Sequence, residues 1–210
     1  MMDYLSELIE RYPLLSPVKD EIIKAFSILK ETYSSGGKLL IAGNGGSASD
    51  SLHITGELMK SFVKKRPVSQ DFKNTLTHLA PAESEYLSKS IQVGLPAISL
   101  VSEASLLTAC INDIDGNIIY AQQVYGYGNS GDTFLGISTS GNAKNIMYAM
   151  ITSKAKNIKT IALTGAQGGL IKQYADISII VPETETYKIQ ELHLPVYHAL
   201  CLMLEEHFFP

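Results

Sequence analysis

Five short apolar runs alternate with longer stretches of helical periodicity, and this alternation constrains the fold more than any other feature of the chain. The runs are Lys38–Gly43, Ala97–Val101, Thr133–Ser138, Thr160–Thr164 and Ile177–Val181, each flanked by Gly, Pro, Asp or Asn. Between them, residues 47–61, 103–112, 117–126, 142–156 and 187–207 place apolar side chains at three- and four-residue spacing. Strands that alternate with helices build βαβ units and a parallel sheet. Such strands are covered on both faces, so their apolar runs are continuous. The expected fold is therefore α/β, a single doubly wound domain over residues 1–210, with a five-stranded parallel sheet flanked by helices. Residues 1–34 are expected to form N-terminal helices. Ser16 before Pro17 reads as a helix start, and Ser35-Gly36-Gly37 as its end.

Residues 63–94 break the pattern. They mix Lys64-Lys65-Arg66-Pro67 with polar residues and weak periodicity, and read as a long excursion with a short helix near Glu83–Ser90. An excursion of this length inside a domain is unusual and often functional. The basic cluster by itself reads as a solvated patch. No repeat or linker divides the chain.

Composition removes several function classes. With 45% hydrophobic and 18% charged residues the 210-residue chain is globular. No apolar run approaches the roughly 20 residues of a membrane helix. The start, Met1-Met2-Asp3-Tyr4, has no basic segment leading into an apolar one, so no secretory leader and a cytoplasmic location are expected. A net charge of −4 gives no electrostatic case for nucleic acid. Cys110 and Cys201 sit in apolar helical patterns and read as buried thiols, with no disulfide or cysteine-based zinc framework.

Ligands of open α/β sheets bind at the carboxyl ends of strands. Two loops stand at such ends. Gly43-Asn44-Gly45-Gly46-Ser47 follows the first strand and opens a helix. Its glycines let backbone N–H groups approach a ligand, and the helix N-terminus favours an anion. Ser138-Thr139-Ser140-Gly141-Asn142 follows the third strand, and its three hydroxyls can donate to phosphate oxygens. Either loop alone is as readily a tight strand-to-helix turn. Together they point to a phosphorylated small molecule. The first loop lacks the dinucleotide spacing G-x-G-x-x-G, and neither loop has the Gly-Lys-Ser/Thr of a Walker A motif.

His53 and Glu57 lie four apart on the helix opened by the first loop, so they share a face two to three turns from its phosphate end. The last helix carries Gln190, Glu191, His193 and His198. Gln190 and His198 are about 80° out of alignment on an ideal helix. Pro195 between them should kink it, and His193 and Glu191 project elsewhere. His53, Glu57, Gln190 and His198 offer two imidazoles, a carboxylate and an amide oxygen, a set zinc accepts. Each alone is as readily a satisfied surface or interface residue.

The segments GNGGSASDSLHITGE, LPAISL, IND, GDTFLGISTSGN, IALTGAQGG and KIQELHLPVYH occur in order. As an ordered set covering nearly all the chain outside residues 63–94, they resemble the sugar isomerase (SIS) domain, and within it the phosphoheptose isomerases. The resemblance implies an aldose–ketose isomerase that converts sedoheptulose 7-phosphate to D-glycero-D-manno-heptose 7-phosphate through an enediolate. It implies Glu57 and His198 as the acid/base pair, and one zinc on His53, Glu57, Gln190 and His198. It implies substrate contacts from Asn44, Gly45, Gly46, Ser47, Glu57, Asn112, Asp113, Ser138, Thr139, Ser140 and Gln190. It also implies a homotetramer with active sites shared between subunits.

Four features depart from the family pattern. Ala143 stands where many members have a phosphate-binding serine. Ser61 stands where an arginine is common, with Lys60 or the Lys64-Lys65-Arg66 cluster as candidate replacements. Tyr187 stands where some members are acidic, and residues 63–94 exceed the usual connection. Three other readings stay open: an isomerase of a different phosphosugar, a sugar-phosphate sensor, and a non-catalytic SIS protein that binds a replication initiator. The end Phe208-Phe209-Pro210 is similar to the last group, although Glu57 and His198 are both present.

Overall fold

Leu39 and Ile41 point to one side of the first strand, Leu40 and Ala42 to the other, and each pair joins a separate apolar core. That two-sided burial organises the protein, whose structure is a computed structural model describing residues 2–210, with side chains from Tyr4 onward. The strands are β1 (Leu39–Gly43), β2 (Ala97–Ser99), β3 (Thr133–Ser138), β4 (Lys159–Thr164) and β5 (Ile177–Ile180). They form one parallel sheet in the order β2-β1-β3-β4-β5. The expected strands and their parallel pairing are found, with ends moved by one or two residues.

One face of the sheet is covered by α1 (Met2–Arg11), α2 (Lys19–Ser34), α3 (Gly46–Met59) and α9 (Thr186–Phe208). The other is covered by α6 (Ala104–Asp113), α7 (Ile119–Tyr127) and α8 (Lys144–Ala155). Both cysteines are buried and free. Among the described residues no helix is long and apolar enough to cross a membrane.

Ser16 does not start a helix. Residues Pro13–Val18 form a tight 3-10 turn, in which Leu15 and Val18 enter the core and the Ser16 hydroxyl donates back to the Pro13 carbonyl at 2.7 Å. The longer helix begins only at Lys19.

The excursion is more ordered than its weak periodicity suggests. It holds two helices, α4 (Gln70–Leu79) and α5 (Pro81–Ser90). Ser69 caps α4 by accepting from the Phe72 N–H at 3.2 Å, and Pro81 occupies the first turn of α5. Of residues 70–90 only Ser84 is buried, so the pair forms an arm standing off the domain. Pro67 and Gln92 close its base in an antiparallel bridge.

The basic cluster at the arm's root is solvated only in part: Lys65 is exposed, but its two neighbours are engaged. Lys64 pairs with Glu206 at 2.6 Å, and Arg66 is fully buried against Glu205. The Glu205 carboxylate also accepts from the backbone N–H groups of Phe62, Val63 and Lys64. Arg66 in turn donates to the carbonyls of Leu58 and Glu57 at the end of α3. Guanidinium and carboxylate thus fasten α3, the arm's root and α9 to one another.

Candidate active site

The strand order reverses direction between β1 and β3, and at such switch points the loops diverge and leave a crevice. Here the crevice is a cleft of about 420 Å³ built from the loops after β1 and β3. Asn44, Gly45, Gly46 and Ser47 form one wall. Ser138, Thr139 and Ser140 form the facing wall, and Gln190 with Thr186 closes the side from α9. Eight of the substrate contacts implied by the family resemblance therefore line one cleft.

Local chemistry explains the loop after β1. Gly45 takes φ +57°, a conformation L side chains rarely adopt. A Cβ on Gly46 would stand where the flexible end of the Gln190 amide lies, so that amide would have to move. The Tyr120 hydroxyl donates to the Gly43 carbonyl at 2.8 Å, and burial pushes Tyr120 up to about 12, so it stays a donor. Asn44 and Asn145 exchange two amide hydrogen bonds of 2.9 Å, tying this loop to α8. Ala143 lines the cleft, where a serine would add a hydroxyl.

Helices α3 and α9 run parallel and in register. Gly46 touches Gln190, His53 meets Tyr197 144 residues on, and Phe62 meets Glu205 143 residues on. One end of this helix pair is the cleft. Seven residues along, about 10 Å at helical rise, lies His53. Its Nε2 is 3.3 Å from Glu57 Oε1, and its ring centroid is 5.0 Å from that of His198. Lys60 Nζ holds the second Glu57 oxygen at 3.0 Å, so this lysine supplies a cation beside the carboxylate. Burial, reinforced by His53, lowers the His198 pKa, while Glu57 opposes this; His198 is therefore predominantly neutral near pH 7.

The helix α9 continues through Pro195. His53, Glu57 and His198 are brought together, while Gln190 stands at the cleft end beside Gly46. Asn112 and Asp113 are not brought to the cleft. They are exposed at the end of α6, where the Asn112 amide donates to Asp113 at 2.8 Å. Tyr187 is exposed. His193 is fully buried, and burial pushes it down to about 4.

The donor set has the chemistry of a zinc site. His198 Nε2 is buried without a partner, and His53 and Glu57 are its neighbours. Among the described residues, no three His, Cys, Asp or Glu side chains are already drawn to ligand spacing. The structure thus supplies the donors as neighbours, not as a closed shell. Sequence reasoning missed Asn145, Thr186, Tyr197 and Asp50. Asn145 carries no motif, and Tyr197 is hidden in an apolar helix.

The fold and cleft define a member of the SIS class: the SIS domain family matches residues 82–165. Phosphoheptose isomerase 2 of Campylobacter jejuni subsp. jejuni is 39% identical over 189 residues, covering 90% of this chain and 78% of that one. The phosphoheptose isomerase of a Nitratiruptor species is 35% identical over 213 residues, covering 99% and 100%. A solved phosphoheptose isomerase from Francisella tularensis superposes with a TM-score of 0.77 at 28% identity, covering 97% and 95%. The chain belongs to the phosphoheptose isomerase family, a family of isomerase enzymes.

Proposed function

We propose that the protein converts sedoheptulose 7-phosphate to D-glycero-D-manno-heptose 7-phosphate. The observation that carries this reading is the parallel α3–α9 pair, with an anion cradle at one end and a carboxylate beside two neighbouring imidazoles at the other. A phosphorylated sugar held by its phosphate in the cleft extends along the pair towards Glu57. The family names carried by its relatives support the same substrate class.

Isomerisation needs one group to move a carbon-bound proton and another to manage oxygen protons. Glu57 removes the proton from the carbon next to the carbonyl, and the electron pair of that bond moves to give an enediolate. Returning the proton to the former carbonyl carbon yields the aldose. His198, neutral and adjacent, shuttles the oxygen-bound proton. Lys60 keeps Glu57 oriented. Ser138, Thr139, Ser140 and the loop at 44–47 fix the phosphate and exclude alternative registers. His53, Glu57 and His198 are the neighbouring residues that would hold zinc, and Gln190, at the cleft end, is the fourth donor the family resemblance implies. When bound, the ion supplies a Lewis acid beside the carbonyl oxygen. A homotetramer in the cytoplasm, with Asn112 and Asp113 serving a neighbouring subunit's cleft, belongs to this proposal.

The test is an isomerase assay on sedoheptulose 7-phosphate, with wild type beside Glu57→Gln and with zinc added or chelated. Wild type should form the heptose phosphate, and Glu57→Gln should lose on the order of 10²–10⁴ in turnover. Loss on chelation and recovery with zinc would support the metal. Near-normal turnover by Glu57→Gln removes it as the base. No product from wild type, with turnover of another phosphorylated ketose, assigns a different sugar.

A further inference from the structure

Tyr197 lies at the centre of a hydrogen-bonded line that the isomerisation chemistry does not use. Its side chain is buried at 2% exposure. Its hydroxyl is 3.3 Å from Asp50 Oδ1 and 3.0 Å from His53 Nδ1. The Tyr197 O–H donates to Asp50 Oδ1, an acceptor whose charge Tyr197 and His53 support against the burial that raises its pKa. The phenol oxygen then accepts from His53, which places the imidazole proton on Nδ1. The lone pair of Nε2 is left facing Glu57 Oε1 at 3.3 Å. Two acceptors facing each other at that distance form a site suited to a cation. Asp50 and His53 stand three residues apart on α3, while Tyr197 arrives from α9. The line therefore also fixes the imidazole against rotation. Asp50 Oδ2 is buried and has no partner, so the carboxylate has no competing hydrogen bond there to turn it away from Tyr197.

We propose that Asp50 and Tyr197 are positioning residues that lock His53 in its Nδ1–H tautomer and aim Nε2 into the space shared with Glu57 and His198. Outer partners of this kind set ring orientation and raise the basicity of the opposite nitrogen, and their loss typically costs about 10–100-fold in metal affinity or activity. Only the kinetic part of the inference rests on the isomerase reading, because the tautomer belongs to the protein alone.

The experiment uses metal-free full-length protein carrying ¹⁵N-labelled histidine, near pH 8, above the ordinary imidazole pKa of about 6.5. Long-range ¹H–¹⁵N spectra distinguish the two neutral tautomers, and His53→Gln assigns the His53 signals among the five histidines. Wild type should show His53 with its proton on Nδ1. Tyr197→Phe, which keeps the ring, and Asp50→Asn, which keeps the shape, should each move His53 to a mixture or to the Nε2–H form. Both should lower kcat by about tenfold or more with KM little changed. A wild type in the Nε2–H form, or variants that keep the wild-type His53 spectrum, overturns the proposal whatever the activity. If Tyr197→Phe fails to fold, Asp50→Asn alone decides. A wild type with the Nδ1–H signature that isomerises no phosphosugar overturns the functional reading and upholds the positioning one.

Discussion

Replacing Arg66 with methionine tests whether the buried ion pair holds α3, the helix that carries Glu57, in place. The Arg66 and Glu205 side chains are both fully buried, with Arg66 Nε 2.8 Å from the carboxylate. Arg66 also donates to the Leu58 carbonyl at 2.7 Å and the Glu57 carbonyl at 3.2 Å, and stacks over Phe209. In Arg66→Met the apolar stem is retained, but Glu205 keeps only its three backbone donors and no counter-charge. The Glu57 and Leu58 carbonyls lose the guanidinium donor, although the Leu95 N–H still reaches Leu58 at 2.9 Å. Breaking a buried pair from one side costs about 3–5 kcal/mol. At about 2–4 °C per kcal/mol for a chain of this size, Tm should fall by about 6–20 °C. Arg66→Lys should fall between, because an ammonium keeps the charge but cannot serve three acceptors with one planar fork. Urea and thermal unfolding should be compared at one fixed chain concentration, since assembly would make Tm depend on it.

Acid pH adds a second readout. Burial raises the Glu205 pKa, but its backbone and Arg66 donors outweigh this and hold it below its ordinary 4.5. A depressed carboxylate stabilises above its unfolded pKa, and the contribution is lost as pH falls through the folded value. The gap between wild type and Arg66→Met should therefore narrow below pH 4.5. A variant within about 1 kcal/mol of wild type at neutral pH would refute the reasoning, because that is the scale of an exposed pair.

Three further outcomes are expected. In Gly46→Ala the new methyl displaces the flexible end of Gln190, so Tm should stay within about 4 °C, the equivalent of 1–2 kcal/mol, while KM rises; a large fall in Tm with unchanged KM would contradict the contact. Ser140→Ala should weaken apparent affinity for the phosphorylated sugar by about tenfold, roughly one lost hydrogen bond to a charged group, and unchanged affinity would count against the second wall of the cleft. Buried His193 is pushed from 6.5 to about 4, so the unfolded chain takes up its proton before the native one does. Its contribution is intact above pH 6.5 and lost as pH falls towards 4, at most about 3 kcal/mol. Unfolding free energies of His193→Asn across that window should show a flatter slope than wild type.

What could be read in the sequence were the features that local chemistry fixes. Continuous apolar runs such as LLIAG declare a strand buried on both sides, and Gly45 and Gly46 declare a backbone that must turn sharply and sit close to a neighbour. The helix α4 was hidden because it has almost no core to face. Phe72, Leu76 and Leu79 keep helical spacing but are scattered among polar residues. Arg66 was misread because a basic run looks solvated until its acidic partner, 139 residues away, is known. The site showed the same division. The cradle residues are neighbours in sequence, whereas the match of Gly46 to Gln190 and His53 to Tyr197 depends on how α9 lies on α3. The Asp50–Tyr197–His53 line follows from that register, and no residue spacing in a single segment encodes it.

The arm's closed base bears on how such a chain can diversify. Residues 68–91 leave the body at Pro67 and rejoin it at Gln92, where the two residues lie side by side. The detour is a bubble on the chain. It can be swapped, lengthened or excised without rethreading a strand or moving a sheet neighbour. Doubling the length of a flexible loop between fixed ends adds only about 0.6 kcal/mol of closure entropy. The buried Arg66–Glu205 clasp works as a socket at its foot, holding α3 steady whatever is plugged in above it. That makes the position a graft point, one helical turn from Glu57, where an added segment gains proximity to the Glu57–His53 pair without taking part in folding the sheet.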